Sequence, residues 1–546
     1  MKEKRFFEQQ AVYQIYPRSF KDSNGDGIGD LNGIISKLDY LKDLGIGIIW
    51  LSPIYPSPNF DYGYDISDYK AINPEFGTME DFERLLKEAK ERNIRIVMDL
   101  VVNHTSIEHR WFQASLDSSS PYHDYYIWRK GKNENKLPPN NWTSNFLGSA
   151  WTYVKEADSW YLHLFTPQQP DLNWQNPKVL EEVESILRFW LDKGVYGFRC
   201  DVINEIYKSS LEDGKDSFPH MMVGKEYYLN QEGGFQILRK LHEDVFSHYD
   251  SMTVGETGFI TYEDQKKYTN SALDMVFSFD HVNPRFYKLF PTFQIKYKPE
   301  FMKKTIRGWQ ENCTWNTVFF ENHDQGRSIA KFGDTGQYYK ESAKMLSTLI
   351  CSLRGTPFIY QGEEIGMEDY PRMDWSVNKD IVPVMIKKMI LSFHMPKSQA
   401  EKMAFIYDRD NARMPFQWDD SLSAGFSSSS KTWLPVNENY LRINAKLNEE
   451  DPTSILQFYK EGLKVRKEHP SLQTGSISFL ESKKDVMAYI REEEGEKILA
   501  LINLSKKERK TGIGLKGTVI LSNYPDDNGE KSFTSLRPFE SVLIKL

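Results

Sequence analysis

Cysteine is scarce in this chain. Three occur among 546 residues, Cys200, Cys313 and Cys351, an odd number, far apart and without a CxxC pair. That excludes a disulfide framework and a thiolate zinc site. No run of 18 apolar residues occurs, so no transmembrane helix is expected. Positive charge is not in excess: 69 Lys and Arg face 77 Asp and Glu, for a net charge of -8. Nucleic-acid binding would need a basic patch, so that class is not indicated. The opening "MKEKRFFEQQ" is charged and lacks the apolar core of a signal peptide. Low-complexity tracts are also missing. A cytoplasmic, monomeric protein with no nucleic-acid or membrane partner is expected.

Aromatic residues are abundant, at 14% of the chain, with 30 Tyr, 33 Phe and 13 Trp. Their flat apolar faces suit cores and also sugar rings. The length calls for one large domain with smaller ones attached. Short apolar runs alternate with amphipathic segments over most of the chain. The runs are "AVYQIYP" (11–17), "IGIIWLSP" (46–53), "IRIVMDLVVNH" (94–104), "VYGFRCDV" (195–202), "MTVGE" (252–256), "MVFSF" (275–279), "TVFFENHD" (317–324) and "TPFIYQGEE" (356–364). Eight β-α repeats predict a closed (β/α)8 TIM barrel, with a doubly wound open sheet as the second choice.

The barrel is expected to span 1–104 and 175–475, with a loop-rich insertion domain at 105–174 after the third strand and an extended segment at 366–435 after the eighth. Insertions of that length inside a compact domain are usually functional. Residues 476–546 change to short alternating strands, "SISFLE", "VMAYIRE", "KILALINLS", "GTVILSN" and "ESVLIKL", and read as an antiparallel β-sandwich domain.

A (β/α)8 barrel does its chemistry at the C-terminal ends of its strands. Here those ends carry Asn103 with His104, Arg199 with Asp201, Glu256, and His323 with Asp324. Arg199 and Asp201 are two apart on a strand, so they face the same side. One such pair reads best as a structural ion pair, but several polar strand ends together read as a site. Carboxylates with Arg and His, and no zinc spacing, suit glycosidic hydrolysis. That reaction needs one carboxylic acid to protonate the leaving oxygen and one carboxylate to attack or to activate water.

The motifs "DYGYDISDY" (61–69), "DLVVNH" (99–104), "QPDLNW" (169–174), "GFRCDVIN" (197–204), "VGE" (254–256), "ENHD" (321–324) and "RDNARMPFQWDD" (409–420) together resemble the α-amylase family of glycoside hydrolases. Within it they are most similar to the oligo-1,6-glucosidase and dextran glucosidase group. The resemblance implies a retaining exo-acting α-glucosidase that releases glucose from α-1,6-linked isomaltooligosaccharides. It makes Asp201 the nucleophile, Glu256 the acid/base and Asp324 a third carboxylate that binds glucose hydroxyls. Arg199 would lower the Asp201 pKa through its charge. His104 and His323 would donate to hydroxyls of the same sugar. Asp61 and Arg413 would grip its far side, and Tyr64 would stack on its face. Phe146, Phe165 and Gln169 would line the pocket. Val202, beside the nucleophile, would favour α-1,6 links. Cys200 would point away from the pocket as a small packed residue.

In "DSNGDGIGDLNG", oxygen-bearing side chains alternate at Asp22, Asn24, Asp26 and Asp30, with the Ile28 carbonyl between. The spacing resembles a calcium loop but not an EF-hand, because Gly33 holds the twelfth position. A plain Asx-turn loop is the other reading. The related glucosidases carry structural Ca2+ there, so Ca2+ is expected, with Mg2+ as the alternative.

The chain departs from the group at Gly326, where Pro is usual, and over 366–405, which matches loosely. The rival readings are a trehalose-6-phosphate hydrolase and a sucrose isomerase or transglucosylase. A non-enzyme of this fold, like the heavy subunits of amino-acid transporters, would lack the carboxylates and carry a membrane helix.

Overall fold

The computed structural model describes residues 5–216, 220–270, 272–282, 297–371, 375–405 and 408–546. Residues 1–4 of the opening stretch and 372–374 of the loosely matching segment, both read above, lie outside the described residues.

Eight parallel strands form the central sheet: β1 Val12–Ile15, β2 Ile48–Leu51, β3 Arg95–Leu100, β4 Gly197–Cys200, β5 Met252–Glu256, β6 Met275–Phe277, β7 Thr317–Val318 and β8 Thr356–Tyr360. Their order around the sheet is β7-β8-β1-β2-β3-β4-β5-β6. The seam between β6 and β7 is bridged by the Thr317 hydroxyl, which donates to the Val276 carbonyl at 3.1 Å. β1, β2, β4, β6 and β8 are buried along their whole length. A parallel strand covered on both faces reads as a continuous apolar run, which is why each was visible in the sequence. Inside the ring, Trp50 packs against Phe277 and Phe358 at centroid distances of 5.7 and 6.5 Å. Gly197 is required where β4 meets β5: a Cβ there would stand 1.8 Å from the Met252 carbonyl oxygen.

Helices follow the strands on the outside, among them Met79–Glu91, Pro177–Asp192, Glu232–Asp244, Pro299–Asn312 and Tyr339–Ser352. Their starts obey local chemistry. Thr78 and Asp81 form a capping box, and Asn176 caps a helix that opens on Pro177.

Between β3 and β4, Trp128–Arg129, Trp151–Val154 and Ser159–Leu162 make a small antiparallel sheet. Trp142, Trp151, Leu162, Leu164 and Tyr228 give it an apolar cluster of its own. At the carboxyl end, six strands between Ser476 and Lys545 form one antiparallel sheet, and Arg509–Lys510 pairs with Ser535–Leu536 in a second. Val486, Leu499, Leu501, Leu536, Val542 and Ile544 pack in a cluster with Phe533, as a two-layer sandwich requires. Among the described residues, no helix is long and apolar enough to cross a membrane.

Candidate active site

The C-terminal ends of the strands converge on one guanidinium. Arg199 is fully buried, and its Nη1 donates to Asp99 Oδ1 and Asp201 Oδ1, each at 2.6 Å. Its Nη2 pairs with Glu256 Oε2, also at 2.6 Å. The planar fork thus sets Asp201 and Glu256 side by side from β4 and β5. The side chain of Glu256 is 14% exposed and that of Asp201 8%, so both touch solvent while Arg199 and Asp99 do not. Val202 follows Asp201 with φ at 35°. A β-branched residue with positive φ is strained, and such strain persists only where the surroundings hold it. Here it aims the Val202 N–H at Glu256 Oε2, 3.1 Å away.

Asp99 was not singled out in the sequence, because it sits inside the apolar run of β3. Its Oδ2 accepts from Trp50 Nε1 at 3.1 Å and from the Tyr64 hydroxyl at 3.3 Å. Burial pushes its carboxyl up to about 6 against the pull of Arg199. Its presence corrects the expectation for Asp201. Burial drives Asp201 well above the usual carboxylate range; Arg199 opposes this, and Glu256 and Asp99 add to it. One cation shared by three carboxylates does not hold all of them ionised at low cost.

The opposite wall is built on His323. Gln14 Nε2 donates to its Nδ1 at 2.8 Å, which leaves the proton on Nε2 of the neutral ring. That nitrogen lies 2.7 Å from the Tyr64 hydroxyl and 3.2 Å from Asp324 Oδ2. Burial lowers the His323 pKa to about 3. Tyr64 stacks on His323 at 5.2 Å, with the rings 4° from parallel. Asp324 resists the effect of its burial. His323, Arg409 and Arg413 crowd it and draw it below the carboxylate range. His104 Nε2 and Gln169 Nε2 reach the Tyr64 carbonyl at 3.0 and 3.1 Å, and Gln169 also approaches Asp61 Oδ2 at 3.4 Å. Phe165 packs on His104 at 5.1 Å and edge-on to Phe146 at 5.5 Å. Cys200 is buried on the strand and takes no part, as alternation predicts.

Asp61 meets an arginine that the sequence reading did not single out: Arg409 Nη2 donates to Asp61 Oδ1 at 3.0 Å. Arg409 also reaches Asp324 at 3.3 Å and Asp380 at 2.7 Å. Arg413 stands one helical turn further on, 1% exposed, donating to Asp324 Oδ1 at 2.8 Å and to the His323 carbonyl at 3.0 Å. Both arginines lie in the motif 409–420, but only the first reaches across to Asp61. Behind the site, Lys208 pairs with Asp171 at 2.6 Å and donates to Asn103 Oδ1 at 2.8 Å. It ties the end of β3 to the loop after β4.

The acidic loop forms successive Asx turns. Asp22 accepts from the amides of Asn24, Gly25 and Gly27 and from the Ser427 hydroxyl. Asn24 accepts from the Asp26 amide, and Asp26 from the Ile28 amide. Asp30 takes the Ser23 amide and caps the next helix at Gly33. Among the described residues, no three His, Cys, Asp or Glu side chains converge as a metal cluster. The donors are oxygen only, as a hard cation requires, and Asn24 and Asp26 each accept one N–H and keep lone pairs free, whereas Asp22, with four donors, would have to exchange some of them for a metal.

Comparison with known proteins agrees with this geometry. A family model described as the alpha-amylase catalytic domain matches residues 14–475. An oligo-1,6-glucosidase of Parageobacillus thermoglucosidasius is 44% identical over 100% of this chain and 99% of its own. A trehalose-6-phosphate hydrolase of Bacillus subtilis is 41% identical over 99% of this chain and 98% of its own. Among solved structures, the trehalulose synthase from Pseudomonas mesoacidophila MX-45 superposes with a TM-score of 0.92 at 38% identity, covering both chains fully. With the strand-end carboxylates, the barrel and the full-length similarity in agreement, this chain belongs to the alpha-amylase family of glycoside hydrolases.

Proposed function

We propose that this protein is a retaining exo-α-glucosidase that removes glucose from the non-reducing end of α-1,6-linked isomaltooligosaccharides. The observation that carries the reading is the Asp201–Arg199–Glu256 fork, with Asp61, Arg409 and Asp324 joined across from it. Asp201 attacks the anomeric carbon and forms a covalent glucosyl-enzyme, while Glu256 protonates the departing oxygen. Glu256 then takes a proton from the water that cleaves the intermediate, and the α configuration is restored. Asp324, kept ionised by two arginines, binds hydroxyls of the same glucose. The Asp61–Arg409 pair blocks extension beyond one sugar, which makes the action exo.

The linkage preference rests on Val202. Its stiff side chain stands beside the nucleophile, where an α-1,4-linked acceptor would crowd it. An α-1,6 link has one more rotatable bond and lets the acceptor swing aside. Such shape differences are worth about 1–3 kcal/mol, or roughly 10–200-fold. The oligo-1,6-glucosidases at 43–44% identity support the same choice. The three buried free thiols suit a reducing cytoplasm. Ca2+, or Mg2+ in its stead, would be held by Asp22, Asn24, Asp26, Asp30 and the Ile28 carbonyl. It would pin the loop after β1 and take no part in the chemistry.

The test is kcat/KM on isomaltose, maltose, trehalose 6-phosphate and sucrose. Isomaltose is expected to lead; a clear lead for trehalose 6-phosphate or sucrose would replace the reading with one of its rivals.

A further inference from the structure

Glu205 stands four residues beyond Asp201, apart from the carboxylates used above, and is 5% exposed. A carboxylate buried to that degree needs partners. Its Oε2 accepts from Asn145 Nδ2 at 2.8 Å. Asn145 belongs to the insertion after β3, and its backbone N–H donates to the Leu164 carbonyl at 2.7 Å. The chain then turns tightly: the Leu147 N–H donates to the Ser144 carbonyl at 2.9 Å, and the Ser144 N–H to the Gly148 carbonyl at 3.0 Å. Leu147 has φ at 72°, a left-handed conformation that a side chain with Cβ adopts only under constraint. At the head of this turn is Phe146, packed edge-on to Phe165 and 5.7 Å beneath the Arg409 guanidinium. Glu205 therefore links the loop that bears the nucleophile to the turn that bears Phe146.

The charged and titratable groups that face Glu205 come from several elements. They are Lys208 on its own loop, Asp171, Glu256 at the end of β5, and Tyr228 and Tyr268 on neighbouring helices. Lys208 pairs with Asp171 and donates to Asn103 Oδ1 and to the Glu205 backbone carbonyl at 3.0 Å, so it offsets the Glu205 charge without bonding its carboxylate. Burial pushes the carboxyl up to about 7, with Asn145 and Lys208 pulling the other way.

We propose that Glu205 is a positioning residue: its ionised carboxylate holds Asn145, and through it the Phe146 turn, against the glucose site, so that substrate affinity falls when Glu205 is protonated. A hydrogen bond to an ionised acceptor is stronger than one to a neutral acid, which gives the effect its sign.

The inference rests on the glucosidase reading. Its test uses the full chain and p-nitrophenyl α-glucoside between pH 6.5 and 8.5, above the limb that Asp99 and Asp201 set, with KM and kcat measured separately. In the wild type, KM rises as the pH falls through about 7. Asn145→Ala raises KM at pH 8 about tenfold, equivalent to about 1.4 kcal/mol, with kcat within about twofold. Glu205→Gln keeps the acceptor but not the charge; its KM is raised and no longer varies with pH. Unaltered melting temperatures show that both variants fold. If both variants keep the wild-type KM across the range, or Glu205→Gln keeps its pH dependence, the inference is wrong. An inactive wild type would instead overturn the glucosidase reading itself.

Discussion

Removing the Arg409 guanidinium should damage both the fold and the activity, and the structure sets the size of each effect. Arg409 makes a paired contact with Asp380, Nε at 2.9 Å and Nη2 at 2.7 Å, and the Asp380 side chain is wholly buried. Burial works against the Asp380 charge, and Arg409 draws its pKa below the ordinary value. In Arg409→Met that carboxylate keeps its backbone donors, the amides of Val382 and residue 409, but loses its cation. Breaking a buried pair from one side costs about 3–5 kcal/mol. The same substitution frees Asp61 and Asp324 from their shared partner. Losing a buried charge partner at a binding site costs about 2–5 kcal/mol, roughly a 30- to 4,000-fold loss in kcat/KM. The assay is a double-mutant cycle of Arg409→Met with Asp380→Asn, read by melting temperature and by kcat/KM on isomaltose. The melting temperature should recover in large part in the double variant, because the stranded charge is gone. The catalytic loss should not recover, because Asp61 still has no cation and Asp324 is left with Arg413 alone. An Arg409→Met protein with wild-type melting and kcat/KM within threefold would refute this reasoning.

Three further outcomes follow from the site. Val202→Ala should narrow the isomaltose-to-maltose ratio of kcat/KM by roughly 10-fold or more; an unchanged ratio removes Val202 from linkage selection. Chelation should lower the melting temperature and added Ca2+ should restore it, since a ligand of the folded state alone stabilises that state; elemental analysis without metal would end the calcium proposal. The acid limb of kcat/KM should fall near pH 6 rather than near 4, because Asp99 titrates at about 6 and Asp201 is also raised. The folded value of Asp99 exceeds its unfolded one. The stability contributed by its protonated form is therefore complete below about pH 4 and lost as the pH rises through about 6. In Asp99→Asn that loss should vanish from the pH dependence of melting.

The barrel was legible because its strands are largely buried on both faces and therefore mostly apolar, each ending where polar residues cluster. The pairing of Arg199 with Asp201 was legible for the same reason: both stand at such an end, two apart. Contacts between distant segments were not legible. Asp61 and Arg409 are 348 positions apart, and nothing local distinguishes Arg409 from Arg413 in one motif. Asp99 was hidden by its setting, a lone carboxylate within an apolar strand whose partner lies on the next strand. The direction of the Asp201 shift was misjudged for the same reason, since two partners suggest a lowered pKa and four groups do not. Glu205 reads as an ordinary loop carboxylate until the turn at Asn145 is folded against it.

The most direct test of the whole account is to follow isomaltotriose hydrolysis by proton NMR from the first minutes, with wild type and with Asp201→Ala. The account predicts α-glucose as the first new sugar, isomaltose as its partner product, and a fall of several orders of magnitude in rate for Asp201→Ala. β-Glucose appearing first, or Asp201→Ala turning over at a near wild-type rate, would contradict it.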